Sequence, residues 1–420
     1  MGIALGKWSE KNLDDLIDTK IIGLVKNAKE QSHGFEYDYV KMHNISNKNL
    51  WYPQKISRVN ATKEEIEKFS LKDNDFLFNT RNSFELVGKN CLYESISDRP
   101  VLFNNNIMRI RFRPEISQKF AAYAFNSPQV LEQLEGMKQG TTNVSAIYYK
   151  TLTNLRLQYP PIPEQKRIID ILDKAFADIE QAQAKTEQNL KNARELFESY
   201  LQQVFSQRGE GWVELGLKDV SLEFGRGKSK HRPRNDDSLY NGDYPFIQTG
   251  DVRNCEHVIT NYSKTYNEKG LAQSKLWPKG TICITIAANI AETGILDFDG
   301  CFPDSVIGVV VDSEITTIRY VEYLLQSFKT ILKAKGQGSA QDNINMGTFE
   351  KMVFPFPSID KQDEIVNSLD GLMNSVQELE RIYTNKLNSI DELKKSILQR
   401  AFSGELTKTL NGETSKGAAA

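Results

Sequence analysis

The densest chemistry in this chain lies in one loop. Arg226-Gly-Lys228-Ser-Lys230-His231-Arg232-Pro-Arg234 sets five formal positive charges side by side with no acid among them. Cations at that density, spaced by small residues, suit the phosphates of a nucleic-acid backbone, whose counterions they displace. A solvated loop is the bland reading. Other residues suit base edges, because Arg pairs bidentately with guanine, and Asn or Gln with adenine, in the major groove. Arg81 and Asn82 follow an apolar stretch, Asp75-Phe-Leu-Phe78-Asn-Thr80, and Asn289 follows Thr281-Ile-Cys-Ile-Thr285 in a matching position. Lys41 and Gln248 are matched candidates on the strands before them. Structural turn roles compete with base contact at all of these. Ile107-Met-Arg109-Ile-Arg111-Phe-Arg113 alternates apolar residues with arginine, as a half-buried strand with a basic face would. Arg109 and Arg111 are therefore candidate phosphate contacts, with surface ion pairing as the other reading. The turns Gly140–Asn143 and Gly338–Asn343 are further candidates for approach to the backbone.

Catalytic patterns are missing. There is no Asn-Pro-Pro-aromatic motif of an amino-methyltransferase, and Tyr159-Pro-Pro-Ile162 has the wrong flanks. Gly225-Arg-Gly227-Lys and Gly336-Gln-Gly338-Ser lack the third glycine and the strand–turn–helix setting of a nucleotide-binding loop. Glu392-Leu-Lys394 has a nuclease-like spacing but falls within a helical heptad, where it reads as a solvated face. His33, His43, His231 and His257 are scattered without metal-ligand spacing, and Cys91, Cys255, Cys283 and Cys301 form no C-x-x-C pair. The expectation is no catalysis, no metal and no cofactor bound by this chain, in a reduced cytoplasm. No apolar run is long enough to span a bilayer, and Met1–Lys20 lacks the apolar region of a signal peptide.

What must position the basic loops is a helix written twice. At a constant offset of 197, Gln165 pairs with Gln362, Ile168 with Ile365, Leu172 with Leu369 and Asp173 with Asp370. Leu190 pairs with Leu387, Leu196 with Leu393, Leu201 with Leu398 and Phe205 with Phe402, with no insertion. Both copies carry a heptad. Ile168, Leu172, Ala175, Ile179, Ala182, Thr186, Asn189, Ala193, Leu196 and Tyr200 step by four and three. So do Ile365, Leu369, Leu372, Val376, Leu379, Tyr383, Lys386, Ile390, Leu393 and Ile397. Small residues dominate the first seam and large ones the second, which suits packing of one on the other; two helices on separate cores is the alternative. Asn189 and Lys386 share a mid-seam position and are expected to pin register as a polar layer.

Charge divides along the same lines. The net charge is −2, yet residues 164–205 and 360–404 each carry six Lys/Arg against eight Asp/Glu, which leaves +2 for everything else. The scaffold is acidic and the globular blocks are the more basic part. At 420 residues there is room for two or three cores.

Each helix follows a mixed α/β block. In the first, Tyr37–Met42, Asp75–Thr80, Ile107–Arg113 and Leu155–Tyr159 read as strands, and Gln118–Asn126 and Gln129–Met137 as helices. The second block repeats the plan: Trp212 answers Trp8, Tyr244–Val252 answers Tyr37–Ile45, and Gly338–Ile344 answers Gly140–Ile147. A repeat of about 200 residues is a domain duplication and not a solenoid. The expected fold is α+β: two globular mixed α/β domains joined by two long antiparallel helices forming a coiled coil, pseudo-two-fold symmetric. Its expected segments are 1–160, helix 161–208, 209–357, helix 358–404, and a polar disordered tail 405–420.

This pattern resembles the specificity subunit of type I restriction–modification systems. The resemblance rests on Pro160-Pro-Ile-Pro-Glu164-Gln165-Lys-Arg-Ile168 and its counterpart Pro357-Ser-Ile-Asp-Lys361-Gln362-Asp-Glu-Ile365. Leu398-Gln-Arg-Ala-Phe402-Ser-Gly404-Glu-Leu406, Asn79-Thr-Arg-Asn-Ser83 and Ala288-Asn-Ile-Ala-Glu-Thr-Gly294 add to it, and the doubled architecture is more specific than any single motif. The second helix departs mildly, opening with Ser358-Ile-Asp360 in place of Pro-Ile-Pro. The resemblance implies a non-catalytic subunit for host defence. Each target recognition domain would read one half of a bipartite site on double-stranded DNA, and the antiparallel helices would fix the spacer. Two methyltransferase subunits would supply S-adenosylmethionine chemistry on adenine, with restriction or translocase subunits as further partners. Two other readings compete: a self-sufficient DNA-modifying enzyme, against which the missing motifs speak, and a coiled-coil adaptor, which would not need two basic duplicated heads.

Overall fold

The computed structural model of the chain describes residues 8–207, 209–287, 290–329, 331–332, 344 and 346–406. The chain forms two compact units, Met1–Thr186 with Asn385–Ala420, and Glu187–Thr384. The long helices, Ile162–Ser206 and Ile359–Phe402, each contribute residues to both. At about 1.5 Å rise per residue each helix is roughly 65 Å long.

In the first unit a four-stranded antiparallel sheet runs Ile17–Ile22, Ile107–Phe112, Phe76–Asn79, Asn90–Leu92. A smaller sheet holds Ser57–Val59, Tyr37–Val40 and Val101–Phe103, the last two parallel. Ser9–Asn12 pairs with Arg156–Tyr159 beside the entry to the first long helix. The second unit follows the same plan with additions. Its main sheet runs Ser221–Arg226, Val306–Val311, Ile282–Thr285, Thr293–Leu296, Val258–Ile259. Its smaller sheet runs Lys264–Tyr266, Tyr240–Phe246, Gly300–Cys301, Leu276–Trp277, and Val213–Leu215 pairs with Phe354–Phe356. The apolar stretches Phe76–Asn79 and Ile282–Thr285 are buried along their whole length because each lies inside its sheet.

The strand Ile107–Phe112 is not half-buried with a basic face. Met108, Ile110 and Phe112 enter the main core, Ile107 enters a second core with Leu77 and Val101, and Arg109 is only 8% exposed. A central strand covered on both sides has no solvent face, and period-two alternation cannot by itself distinguish the two cases.

Within each unit the long helices run antiparallel against each other. In the first, Gln183 Nε2 donates to Asp391 at 2.8 Å. In the second, Arg194 meets Glu380 at 2.7 Å and Tyr200 meets Ser368 at 2.9 Å, numbers rising on one helix as they fall on the other. Ile168, Leu172 and Ile179 share one core with Ile390, Leu398 and Phe402; Phe197, Leu201 and Phe205 share another with Ile365, Leu369 and Val376.

The strict heptad fails at matched positions. Leu196 and Leu393 are 53% and 50% exposed; the buried stripe passes instead through Phe197 and Leu201 on the first helix and, beyond Ile390, through Leu398 on the second. An α-helix with 3.6 residues per turn drifts about 20° per heptad from a 3.5-residue repeat, so over four to five heptads the contact line moves by about one residue. Nor is there a polar layer at Asn189 and Lys386, which are half-buried and exposed. The buried polar group nearby is Thr186, whose hydroxyl donates to the Ala182 carbonyl at 2.7 Å within its own helix. Beyond Phe402 the chain does not become tail at once, since Leu406 still touches the first core; residues 407–420 lie outside the described ones.

Candidate nucleic-acid interface

The basic loop leaves strand Ser221–Arg226 through Gly227, where a Cβ would lie 2.2 Å from the Phe302 carbonyl oxygen. Only glycine passes there. Beyond it the loop is tied down. Arg226 Nε donates to the Asp304 carbonyl at 2.7 Å, and Arg234 grips the Asp304 carboxylate with contacts of 2.7 and 2.8 Å. Arg232 donates to the Ser229 and His231 carbonyls, and Ser274 to the Lys228 carbonyl. Tyr240 donates its hydroxyl hydrogen to the Arg234 carbonyl at 2.6 Å. Asp236 accepts from Ser238 and meets the His231 ring at 2.7 Å, and these bonds, Ser238 first, pull its carboxyl down to about 2.

The five cations therefore divide. Arg226, Arg232 and Arg234 hold the loop's shape, while Lys228 and Lys230 are exposed and carry no ion pair among the described residues. Two uncommitted ammonium groups on a braced loop can meet phosphate without first ordering the loop.

The tertiary structure brings Arg234 together with Gln248. Both line a cleft of about 220 Å³ with Ser229, Thr249, Lys264 and Tyr240. Gln248 caps the short helix Thr249–Asn254; its backbone N–H donates to Asp251 at 2.7 Å and its side-chain oxygen accepts from Ser263 at 3.3 Å. Lys264 lies 5.0 Å over the Tyr240 ring and also lines an adjoining cleft of about 520 Å³ with Asn235, Asn241 and Tyr262. Sequence reasoning missed Lys264 and Tyr262. The polar run Thr260-Asn-Tyr-Ser-Lys264, with an aromatic inside it, was the available signal.

In the first unit, Lys41 occupies the position of Gln248, and its backbone N–H donates to Asn44 at 2.9 Å as that of Gln248 does to Asp251. Arg81 is exposed on a two-residue strand, Arg81–Asn82, paired with Ser145–Ala146 and through it with Gln139–Gly140. The Gly140–Asn143 turn thus joins the Arg81 loop, and Phe84 N–H donates to the Thr142 carbonyl. Asn82 is spent on the turn: its amide donates to Asn79 at 3.0 Å and its oxygen accepts from Ser83 at 2.9 Å. Arg109 donates to the Ser70 carbonyl at 2.8 Å, and burial lowers its pKa. Arg111 is bonded to Asp75 at 2.6 and 2.9 Å, which raises the Arg111 pKa. Both arginines serve the interior instead of a basic face. Asn289 and the Gly338–Asn343 turn lie outside the described residues.

One polar cluster in the second unit has the look of chemistry. Glu322 is fully buried, meeting His257 Nδ1 at 2.8 Å and accepting from Thr293 at 3.0 Å, with Cys255 close by through the Thr293 carbonyl. Burial pushes the Cys255 thiol up to about 11, so it stays protonated at neutral pH and is a poor nucleophile.

Two copies of an α+β head, each lodged on an antiparallel helix pair and at least one carrying a braced cationic loop, define a duplicated nucleic-acid-reading scaffold. A family model described as the type I restriction modification DNA specificity domain matches residues 6–190 and again 209–389, and the chain belongs to that family. It is 24% identical to the type I restriction enzyme EcoBI specificity subunit of Escherichia coli over 75% of this chain and 71% of that one. Among solved structures it resembles a chain from a study of complex assembly and conformational transition of the type I R-M system. That likeness has a TM-score of 0.76 at 18% identity and covers 96% of this chain and all of the other. The HsdS subunit from Thermoanaerobacter tengcongensis gives 0.58 at 18% identity, covering 95% and 97%.

Proposed function

We propose that this specificity subunit is the non-catalytic reader of a type I restriction–modification complex. Each head reads one half of a bipartite site on double-stranded DNA, and the helix pair sets the spacer. The observation that carries the reading is the duplication itself: the same head plan recurs on the same helix chemistry while the DNA-facing candidates differ between the heads. Half-sites on one face of DNA are separated by about 34 Å per turn, and helices of roughly 65 Å are long enough to hold two readers at such a spacing.

Lys228 and Lys230 make the phosphate contacts of the second head, and Gln248 with Lys264 is its best-supported pair for base edges. Arg81 and Lys41 are the corresponding candidates of the first head. S-adenosylmethionine binds to partner methyltransferase subunits, two per reader, and not to this chain; restriction or translocase subunits complete the assembly. The work is done in the cytoplasm. The described cysteines are all free thiols, and among the described residues no helix is long and apolar enough to cross a membrane.

Genome-wide mapping of adenine methylation with and without this chain tests the reading. A bipartite motif that disappears with the chain is expected. Exchange of residues 209–357 for another head should alter one half of that motif only, and a change in both halves would count against two independent readers. Methyl transfer by the purified chain alone would favour the self-sufficient enzyme instead.

A further inference from the structure

The duplicated residues Gln165, Asp173, Gln362 and Asp370 of the long helices bond to the heads themselves and to none of the candidate DNA contacts. Gln165 is completely buried. Its amide donates to the Glu115 and Pro160 carbonyls, both at 2.8 Å, and its oxygen accepts from the Ser117 N–H at 2.9 Å. Gln362 is also completely buried, donating to the Ile315 and Pro357 carbonyls at 3.1 and 2.9 Å and accepting from Thr316 Oγ1 and the Thr317 N–H at 2.7 and 3.2 Å. Ser117 and Thr317 are the N-caps of Gln118–Ala124 and Ile318–Ser327, so each glutamine holds the start of one head helix.

Two turns further along the long helix, the aspartates hold the same head helices. Asp173 accepts from the Tyr123 hydroxyl and from Lys119, both at 2.6 Å. Asp370 accepts from the Tyr323 hydroxyl at 2.5 Å and from Arg319. A third contact completes each seat: Phe402 lies against Phe120 with ring centroids 5.2 Å apart, and Phe205 against Tyr320 at 5.4 Å. The helix-side residues repeat at an offset of 197, whereas the head-side residues Ser117/Thr317, Lys119/Arg319, Phe120/Tyr320 and Tyr123/Tyr323 repeat at 200. The intervening chain has changed length by three residues, yet every bond made in the first seat recurs in the second, with Thr316 Oγ1 added where the first unit has Ile116. Buried polar groups that must all find partners fix one geometry and penalise others, which apolar contact alone does weakly.

Building on the reading of the chain as a bipartite DNA reader, we infer that Gln165 with Asp173, and Gln362 with Asp370, are head-positioning residues. They fix the angle at which each head is presented on its helix pair, and so the phase between half-sites, while the helix length fixes distance. A structural anchor would affect folding alone. A positioning residue also affects the match between protein and spacer.

The test uses the full chain and duplexes carrying the mapped bipartite site at its native spacer, at spacers one base pair longer and shorter, and with one half-site scrambled. Tyr323→Phe and Asp370→Asn are compared with Val309→Ala, a cavity variant in the buried main-sheet strand chosen to lower the melting temperature at least as much. The seat variants should lose about tenfold in affinity for the complete site, a fraction of the gain that linking two heads provides. They should bind the native and altered spacers nearly alike, and bind the scrambled half-site duplex within about twofold of wild type. Val309→Ala should keep its spacer preference. Should Asp370→Asn fail to fold, Tyr323→Phe, which removes one hydroxyl and keeps the ring, decides the matter alone. A preserved spacer preference in the seat variants, or the same levelling in Val309→Ala, overturns the inference. A wild-type chain with no preference for a bipartite site overturns the functional reading beneath it instead.

Discussion

Each head has its own main sheet of similar plan, and the two sheets are filled differently. Leu77 faces Arg109 across the first sheet, and Cys283 faces Gly308 at the matching place in the second. Arg109 reaches over the Phe103 ring, 6.0 Å from its centroid, to the Ser70 carbonyl. In the second head a Cβ at Gly308 would lie 2.7 Å from Phe302 and 2.9 Å from Trp277, whose stacked rings take that volume. A cation with a buried partner in one head is thus replaced by two stacked rings in the other. The divergence of the heads reaches their cores and is not confined to reading loops, so a count of arginines per head does not measure DNA contact. The seat on the helices shows the opposite: its chemistry is the same in both.

That contrast can be broken most strongly at Arg111. Arg111→Ala takes the cation from Asp75, which is 3% exposed and keeps the Lys72 N–H at 2.8 Å, and should lower stability by about 3 kcal/mol. Thermal unfolding measures it, and the half-site read by the first head should keep its sequence. A stable variant with altered DNA affinity would return this strand to the interface. In the second head, Gln248→Ala should cost about 1–3 kcal/mol of discrimination at one base of one half-site. Competition binding against single-base variants of the site locates that base, and a uniform loss across all variants would make Gln248 a mere cap. Joint reversal Lys228→Glu and Lys230→Glu should reduce the slope of log affinity against log salt by about two, without changing sequence preference. An unchanged slope would remove the loop from the interface.

The smallest effect is one of pH. Asp236 has its folded pKa lowered to about 2 from the ordinary 3.8, by Ser238 first and His231 after it. A depressed carboxylate contributes stability above its unfolded value and loses it as pH falls through the folded one. The brace on the basic loop should therefore persist at pH 4 and loosen from there toward about 2. Carboxyl NMR of Asp236 would follow it; a midpoint near 4 would mean the brace does not form.

The sequence by itself determined the duplication, both long helices, several central strands such as Phe76–Asn79 and Ile282–Thr285, and the absence of familiar catalytic motifs. These are local or periodic properties, visible in the spacing of Ile168, Leu172 and Leu369 or in the run Phe76–Asn79. It also located the basic loop. What it could not supply was which side of an alternating strand faces water. Arg109 and Arg111 look like a basic face until a second layer is laid over the strand, and layering is not written in the alternation. Nor could it follow the seam over its full length, because a small difference in period accumulates and leaves Leu196 and Leu393 outside. Only the tertiary structure sorted the five cations of the basic loop into three that brace and two that are uncommitted, since Asp304 comes from a distant strand connection. It alone brought Arg234, Gln248 and Lys264 to one cleft, and turned Gln165 and Gln362 from repeat markers into the buried bonds on which each head is seated.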